Sequence, residues 1–350
     1  MERYSQFRDK GTAIAPFFPV PTPPSSTLWT PVHLLLFLVR IPPVLCLSIL
    51  YFLILEWLPV GSFVKKCVIW FILGIPGVWW IDLQVDGVRR GKLAESQNHL
   101  PYPGTIIASS FTSPLDPLYL AGIFCPIFTR SYPSTRKVER ISLFRAILLA
   151  FSPPSVFPTN PDNLTTLKEL QEKNPKSIIV VFPECTTTNG RGILPFSPSL
   201  LTANPKTRIY PINLRYTPGD ITTPVPGNYG SWLWRLLSEP THCMHVRIAE
   251  SVYNNASITT PEAEKERPTV GDGMGFDTNI FDSPRMRNGT RIDSGDEDDR
   301  EGKSGKLTRD EQKVLDRVGE DLARLGRVKR VGLGVQEKIE FVKVWGKRRR

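Results

Sequence analysis

Apolar residues fall into three patterns along the chain. The first is continuous. Residues 34–39 and 41–60 are apolar apart from the intervening Arg40 and from Glu56, and residues 67–81 form a second run containing Trp70, Trp79 and Trp80. The stretch 41–60 has the length of a bilayer-crossing helix, and Pro42 and Pro43 predict that the helix starts there. The second run is short for a crossing, is broken around Gly74, Pro76 and Gly77, and carries tryptophans of the kind that sit at a membrane interface. Two readings follow: a pair of crossing helices, or a re-entrant hairpin lodged in one leaflet. A pair of buried core helices is the soluble alternative.

The second pattern is alternation. From residue 83 to residue 252 short apolar runs alternate with helical spacing, which predicts an α/β sheet domain. Strands are expected at 83–87, 105–110, 127–132, 155–158, 177–182, 208–216 and 244–252. Helices are expected at 117–124, 141–150 and 163–172, the last with Leu164, Leu167 and Leu170 on one face. The third pattern is interruption. Residues 1–30 are Pro-rich and polar, and 253–306 hold few apolar residues and the acids Asp296, Glu297, Asp298 and Asp299. Both predict disorder. Helical spacing returns at Leu315, Val318, Leu322 and Leu325. The expected organisation is a disordered tail (1–30), a membrane anchor (31–82), a catalytic domain (83–252), a disordered insertion (253–306), and a C-terminal helix that packs on the domain and ends in a basic tail (307–350).

Charge and cysteine usage narrow the partners. The 350 residues carry a net charge of +10, which predicts an anionic partner. No zinc-finger, homeodomain or RNP pattern accompanies that charge, so a membrane surface and a phosphate-bearing substrate account for it better than nucleic acid does. The five cysteines are scattered, with no C-x-x-C pair. They predict neither a metal site nor a disulfide framework, and reduced thiols facing the cytosol.

The chemistry concentrates at one strand end. Residues 177–182 read SIIVVF, a strand covered on both faces, and Pro183, Glu184, Cys185, Thr186, Thr187, Thr188, Asn189 and Gly190 follow. A carboxylate and three hydroxyls at a strand's carboxyl end lie where open α/β sheets hold ligands. Upstream, residues 105–116 read TIIASSFTSPLD. Here Ser113, Pro114, Leu115 and Asp116 also have the form of a capping box with Pro at the first helical position, so Asp116 is equally a helix-start residue.

Together FPECTTTNG and SPLD resemble the glycerolipid and lysophospholipid acyltransferases, within them the fungal lysophosphatidic acid:oleoyl-CoA acyltransferase group. The likeness runs over roughly residues 83–252. It implies a glycerolipid-acyltransferase-like sheet flanked by helices, preceded by a hydrophobic membrane hairpin. It further implies transfer of a fatty acyl chain from acyl-CoA to a lysophospholipid, with lysophosphatidic acid as the first candidate, without metal or other cofactor. Ser110 stands where the family has Asn, and Phe111 where it has the catalytic His. Asp116, behind Ser113, takes the place of the histidine's partner. A phenyl ring takes no proton, so the alternative is a lipid- or acyl-CoA-binding homologue that has lost turnover.

Further roles come from the same resemblance. Glu184, Cys185, Thr186 and Thr187 are expected to hold the acceptor's polar head, beside Phe111. Pro211, in the YPIN segment, is expected to line the acyl channel. The family's phosphate-binding Arg is missing between Val156 and Asn160, which leaves Arg136, Lys137, Arg140 or Arg191 for that task. Of the histidines, His99, His242 and His245 are conceivable substitute bases and His33 is not. The expected setting is the endoplasmic reticulum membrane or a lipid-droplet monolayer, with the domain facing the cytosol.

Overall fold

The computed structural model describes residues 2–22, 27–58, 61–89, 99–255 and 307–347. The expected insertion lies almost wholly outside them, as do the last three residues of the basic tail. Eight helices are described: α1 (Thr30–Ile49), α2 (Ser62–Gly74), α3 (Leu115–Phe124), α4 (Leu143–Leu149), α5 (Leu167–Lys173), α6 (Tyr229–Ser238), α7 (Arg309–Gly326) and α8 (Val335–Lys347). The strands are β1 (Trp80–Val85), β2 (Ile106–Ser109), β3 (Ile127–Ser131), β4 (Val138–Ile141), β5 (Leu164–Thr165), β6 (Ile179–Val181), β7 (Gly192–Ile193), β8 (Arg208–Thr217), β9 (Cys243–Ile248), β10 (Val252–Tyr253) and β11 (Lys329–Arg330).

Nine of these strands form one mixed sheet in the order β1-β9-β8-β2-β6-β3-β4-β5, with β10 paired to β8, and β11 and β7 form a separate pair. The centre is parallel: β2 pairs with β8 on one side and β6 on the other, and β6 pairs with β3. Ile106, Ile107, Ala108, Ile179, Val180, Val181 and Ile209 there are at most 0 % exposed, as expected for a sheet covered on both faces. The expected strand at 155–158 is irregular instead; Pro153, Pro154 and Pro158 deny it ladder donors.

Only one described helix has membrane-crossing character. Thr30–Leu55 is a single apolar run of 26 residues, made of α1 and a wider π-type turn over Leu50–Leu55. Pro42 and Pro43 lie inside α1 rather than at its start. Arg40 does not interrupt the helix, because carbonyl oxygens of Leu237, Glu239 and Pro240 accept its guanidinium hydrogens. The second apolar run is partly packed on the domain, while Phe71, Trp79 and Trp80 remain exposed. Ile69, Ile72 and Leu73 of α2 are buried, Trp70 donates to the Gly122 carbonyl of α3 at 3.2 Å, and Lys66 donates to that of Ile123 at 2.6 Å. α2 is therefore a 13-residue helix laid on α3.

The expected disordered tail also needs correction over residues 2–22. Phe7 and Phe17 are buried against Phe341 of α8, and Tyr4 and Phe18 pack beside them. Asn189 fixes this segment by donating its side-chain amide to the carbonyls of Ala15 and Phe18. Four aromatic side chains supply the burial that a Pro-rich composition hides.

Candidate active site

β2 and β6 are adjacent and parallel, with Ile106 opposite Ile179 and Ala108 opposite Val181. Their carboxyl ends therefore emerge side by side. β2 delivers the Ser110–Asp116 turn and β6 the turn after Phe182, although some seventy positions separate them in sequence. The turns touch: the Thr188 amide donates to the Phe111 carbonyl at 3.0 Å, and the Phe111 and Phe182 rings stack 4.5 Å apart at 27°. A third strand braces them. The Ser110 amide donates to the Ile212 carbonyl, and the Leu214 amide donates to the Ser110 hydroxyl.

Asp116 organises the first turn. It is fully buried in the first turn of α3. Its Oδ2 accepts the amides of Thr112 (2.6 Å) and Ser113 (2.9 Å), and Tyr216 of β8 donates its hydroxyl to Oδ1 at 2.5 Å. Burial is the largest influence on this carboxyl and pushes its pKa up to about 6 against the pull of those donors. Asp116 thus ties the turn to β8. The capping box is half formed: the carboxylate reaches the Ser113 amide, while the Ser113 hydroxyl turns away to the Ile221 carbonyl at 3.0 Å.

Glu184 departs from its expected role. It is fully buried, below the turn rather than on its open side. The Leu194 amide donates to its Oε2 at 3.3 Å, Oε1 has no hydrogen-bond partner, and burial pushes the pKa up to about 8. Thr187 and Thr188 are buried as well, and Thr187 donates its hydroxyl to the Thr223 carbonyl at 2.7 Å. Of the four expected head-binding residues only Cys185 and Thr186 face open space. They line a cleft with Phe111, Phe182, Arg130, Ser131 and the 152–154 loop. The cleft holds about 20 Å³, room for a water and not for an acyl chain. Ligand entry requires it to widen.

Cys185 occupies the left-handed backbone region at φ 59°, a conformation that favours glycine. Burial pushes its thiol up to about 12. We expect Cys185→Gly to raise the unfolding free energy by about 0.5–1 kcal/mol, less the entropy glycine returns to the unfolded chain. Denaturant unfolding of the detergent-solubilised protein measures it. A loss of stability contradicts the strain assigned to this turn.

Of the expected phosphate ligands, Arg191 lines a separate cavity of about 280 Å³ with Thr112, Asn189 and Gly190 of the two turns, Arg140 lies in β4 opposite Thr129, and the other two lie elsewhere. Arg136 and Lys137 sit in the exposed β3–β4 turn, where Arg136 is held by Glu311 of α7 through both carboxylate oxygens. Pro211 lies in the middle of the sheet opposite Ala108, buried, and not in the cleft. No histidine lines the cleft: His33 contacts Ser238, His99 lies against Gly87, His242 is buried against Leu236, and His245 faces Asp82.

Two relatives carry the same reading from outside the molecule. A Schizosaccharomyces pombe protein named "Putative lysophosphatidic acid:oleoyl-CoA acyltransferase" is 28% identical over 238 residues, spanning 65% of this chain and 77% of that protein. Lysophosphatidic acid:oleoyl-CoA acyltransferase 1 of Saccharomyces cerevisiae is 26% identical over 216 residues, spanning 59% and 67%. The chain is related to this acyltransferase family. No family model matches it.

Two further residues beside the turns were not singled out from the sequence. Lys338 of α8 is buried under the FPECTTT turn and donates to the Thr187 carbonyl (2.6 Å) and hydroxyl (2.9 Å). Burial pulls its ammonium down to about 7, opposed by Glu184. Arg130 of β3 lines the cleft, donates to the Ser155 hydroxyl at 2.5 Å and lies 4.8 Å from the Tyr132 ring centre. An Arg within the short IFTRS strand was the available signal for it.

Proposed function

We propose that this protein transfers a fatty acyl group from acyl-CoA to a lysophospholipid, lysophosphatidic acid first among them, at a membrane surface. One observation carries the reading: the two motif turns, from neighbouring parallel strands, share a cleft between Phe111, Phe182, Cys185 and Thr186. The names of the two relatives support the reaction class. In the reaction the acceptor hydroxyl attacks the thioester carbonyl, a C–O bond forms, the C–S bond breaks, and the hydroxyl proton leaves with the coenzyme A thiolate. A thioester is an activated donor, so alignment and oxyanion stabilisation carry the rate where the general base is missing. Thr186 and Arg130 are the polar groups that meet the acceptor.

Thr30–Leu55 anchors the domain, and α4 extends the apolar rim with exposed Phe144 and Leu148. As part of the same proposal, the setting is the endoplasmic reticulum membrane or a lipid-droplet surface, with the domain in the cytosol. The stacked Phe111 and Phe182 rings favour a second reading, a ligand-binding homologue without turnover. The test is product formation by purified protein from labelled oleoyl-CoA, with lysophosphatidic acid or monoacylglycerol as acceptor. Arg130→Gln is expected to raise KM for lysophosphatidic acid about tenfold, a lost charge-assisted bond, and to leave KM for the phosphate-free acceptor unchanged. Equal KM changes for both acceptors contradict the assignment of Arg130 to phosphate. Retained oleoyl-CoA binding without product selects the second reading.

A further inference from the structure

A further cavity lies apart from the motif cleft. It holds about 400 Å³ and lies between the 219–225 loop, α6, Pro19 and Trp345 of α8. Asp220 lines it and is only 2 % exposed, yet neither carboxylate oxygen has a hydrogen-bond partner. The Thr223 hydroxyl on the same wall is likewise buried and without a partner. Buried polar groups are ordinarily satisfied, so two adjacent exceptions on a cavity wall point to a ligand bearing hydrogen-bond donors. Arg235 lines the same space. It donates to the Asp220 carbonyl at 3.1 Å and forms no ion pair among the described residues. Trp232 and Trp345 complete the wall, and indole faces attract ammonium groups.

One cavity thus offers a carboxylate and indole side chains to a cation and a guanidinium to an anion. We propose that it binds a phosphoamine zwitterion, the phosphocholine or phosphoethanolamine unit, with the ammonium at Asp220 and the phosphate at Arg235. Position favours phosphate over a carboxylate partner: α6, which carries Arg235 and Trp232, packs against the apolar helix α1, with Trp234 and Phe37 rings 4.9 Å apart. The site therefore adjoins the segment that meets lipid. It also shares a loop with both motif turns, since Ser113 donates to the Ile221 carbonyl and Thr187 to that of Thr223. The assignment does not depend on acyl transfer.

Calorimetric titration of the full-length protein in detergent tests it, with phosphocholine, phosphoethanolamine, inorganic phosphate and serine as probes. The wild type is expected to bind a phosphoamine at least about tenfold more tightly than phosphate or serine. Asp220→Asn and Arg235→Gln are each expected to weaken it about tenfold or more, the loss of one charge-assisted contact. Asp220→Asn cuts no internal side-chain bond, and unchanged melting temperatures certify both variants. Dihexanoylphosphatidylcholine separates the sources: tighter binding than phosphocholine assigns a lipid headgroup, and equal binding assigns the free phosphoamine. Absence of phosphoamine binding by the wild type, phosphate or serine bound equally well, or folded variants that bind as the wild type does, each overturns the proposal.

Discussion

Lys338→Met is expected to destabilise the protein by roughly 2–4 kcal/mol, the cost of breaking a buried charged contact and orphaning its acceptors. The substitution keeps most of the apolar stem and removes the ammonium. The Thr187 carbonyl and hydroxyl then lose a donor, and Glu184 loses the one cation that opposes its burial. Activity should fall with stability, because Thr187 adjoins Thr186 in the cleft wall and is tied to the 219–225 loop. Denaturant unfolding of wild type and variant checks this. An unchanged midpoint removes Lys338 from the account of the turn. The same measurement on Phe341→Ala is a control, since Phe341 holds α8 against Phe7 and Phe17 without touching the motif.

Phe111→His is expected to raise the rate of acyl transfer at least about tenfold, within the hundred- to ten-thousand-fold span of general-base catalysis. The gain should stop short of the full span. Both oxygens of Asp116 are engaged, Oδ1 by Tyr216 and Oδ2 by the turn amides, so a new imidazole lacks a free carboxylate to orient it. Tyr216→Phe frees Oδ1, and the double variant is expected to exceed Phe111→His alone. Replacing the ring also forfeits the stack on Phe182, about 0.5–1.5 kcal/mol beyond the area term, so the variant should melt lower while turning over faster. Steady-state kinetics on each variant checks the order. A large loss of activity in Phe111→His instead makes the phenyl ring a required wall of the cleft.

What could be read in advance follows from the reach of each signal. The strand at 177–182 and its polar turn were legible because burial on both faces writes a continuous apolar run. The meeting of that turn with SPLD was legible because neighbouring parallel strands end on one edge. Contacts made by lone side chains across the molecule were not. Lys338 reads as one more base near a basic end, and only its burial beneath Thr187 distinguishes it. Arg136 reads as a phosphate ligand until Glu311, 175 positions away, takes its guanidinium. Glu184 reads as a ligand group because sequence does not tell which side of a turn a carboxylate takes. The amino-terminal segment reads as disordered because composition averages over Phe7 and Phe17, which act as two anchors.

As proposed, two turns held by Asp116 and Glu184 form a transfer site although the base position holds phenylalanine. The most direct test is the initial rate of labelled acyl transfer to lysophosphatidic acid by purified wild type, Asp116→Asn and Glu184→Gln at matched folded fraction. Measurable transfer by the wild type is expected, with a fall of roughly a hundredfold or more in Asp116→Asn, a cost of about 2.7 kcal/mol in the barrier, and with Glu184→Gln also impaired. Equal rates in all three proteins, or no transfer by a wild type that still binds acyl-CoA, contradict the proposal.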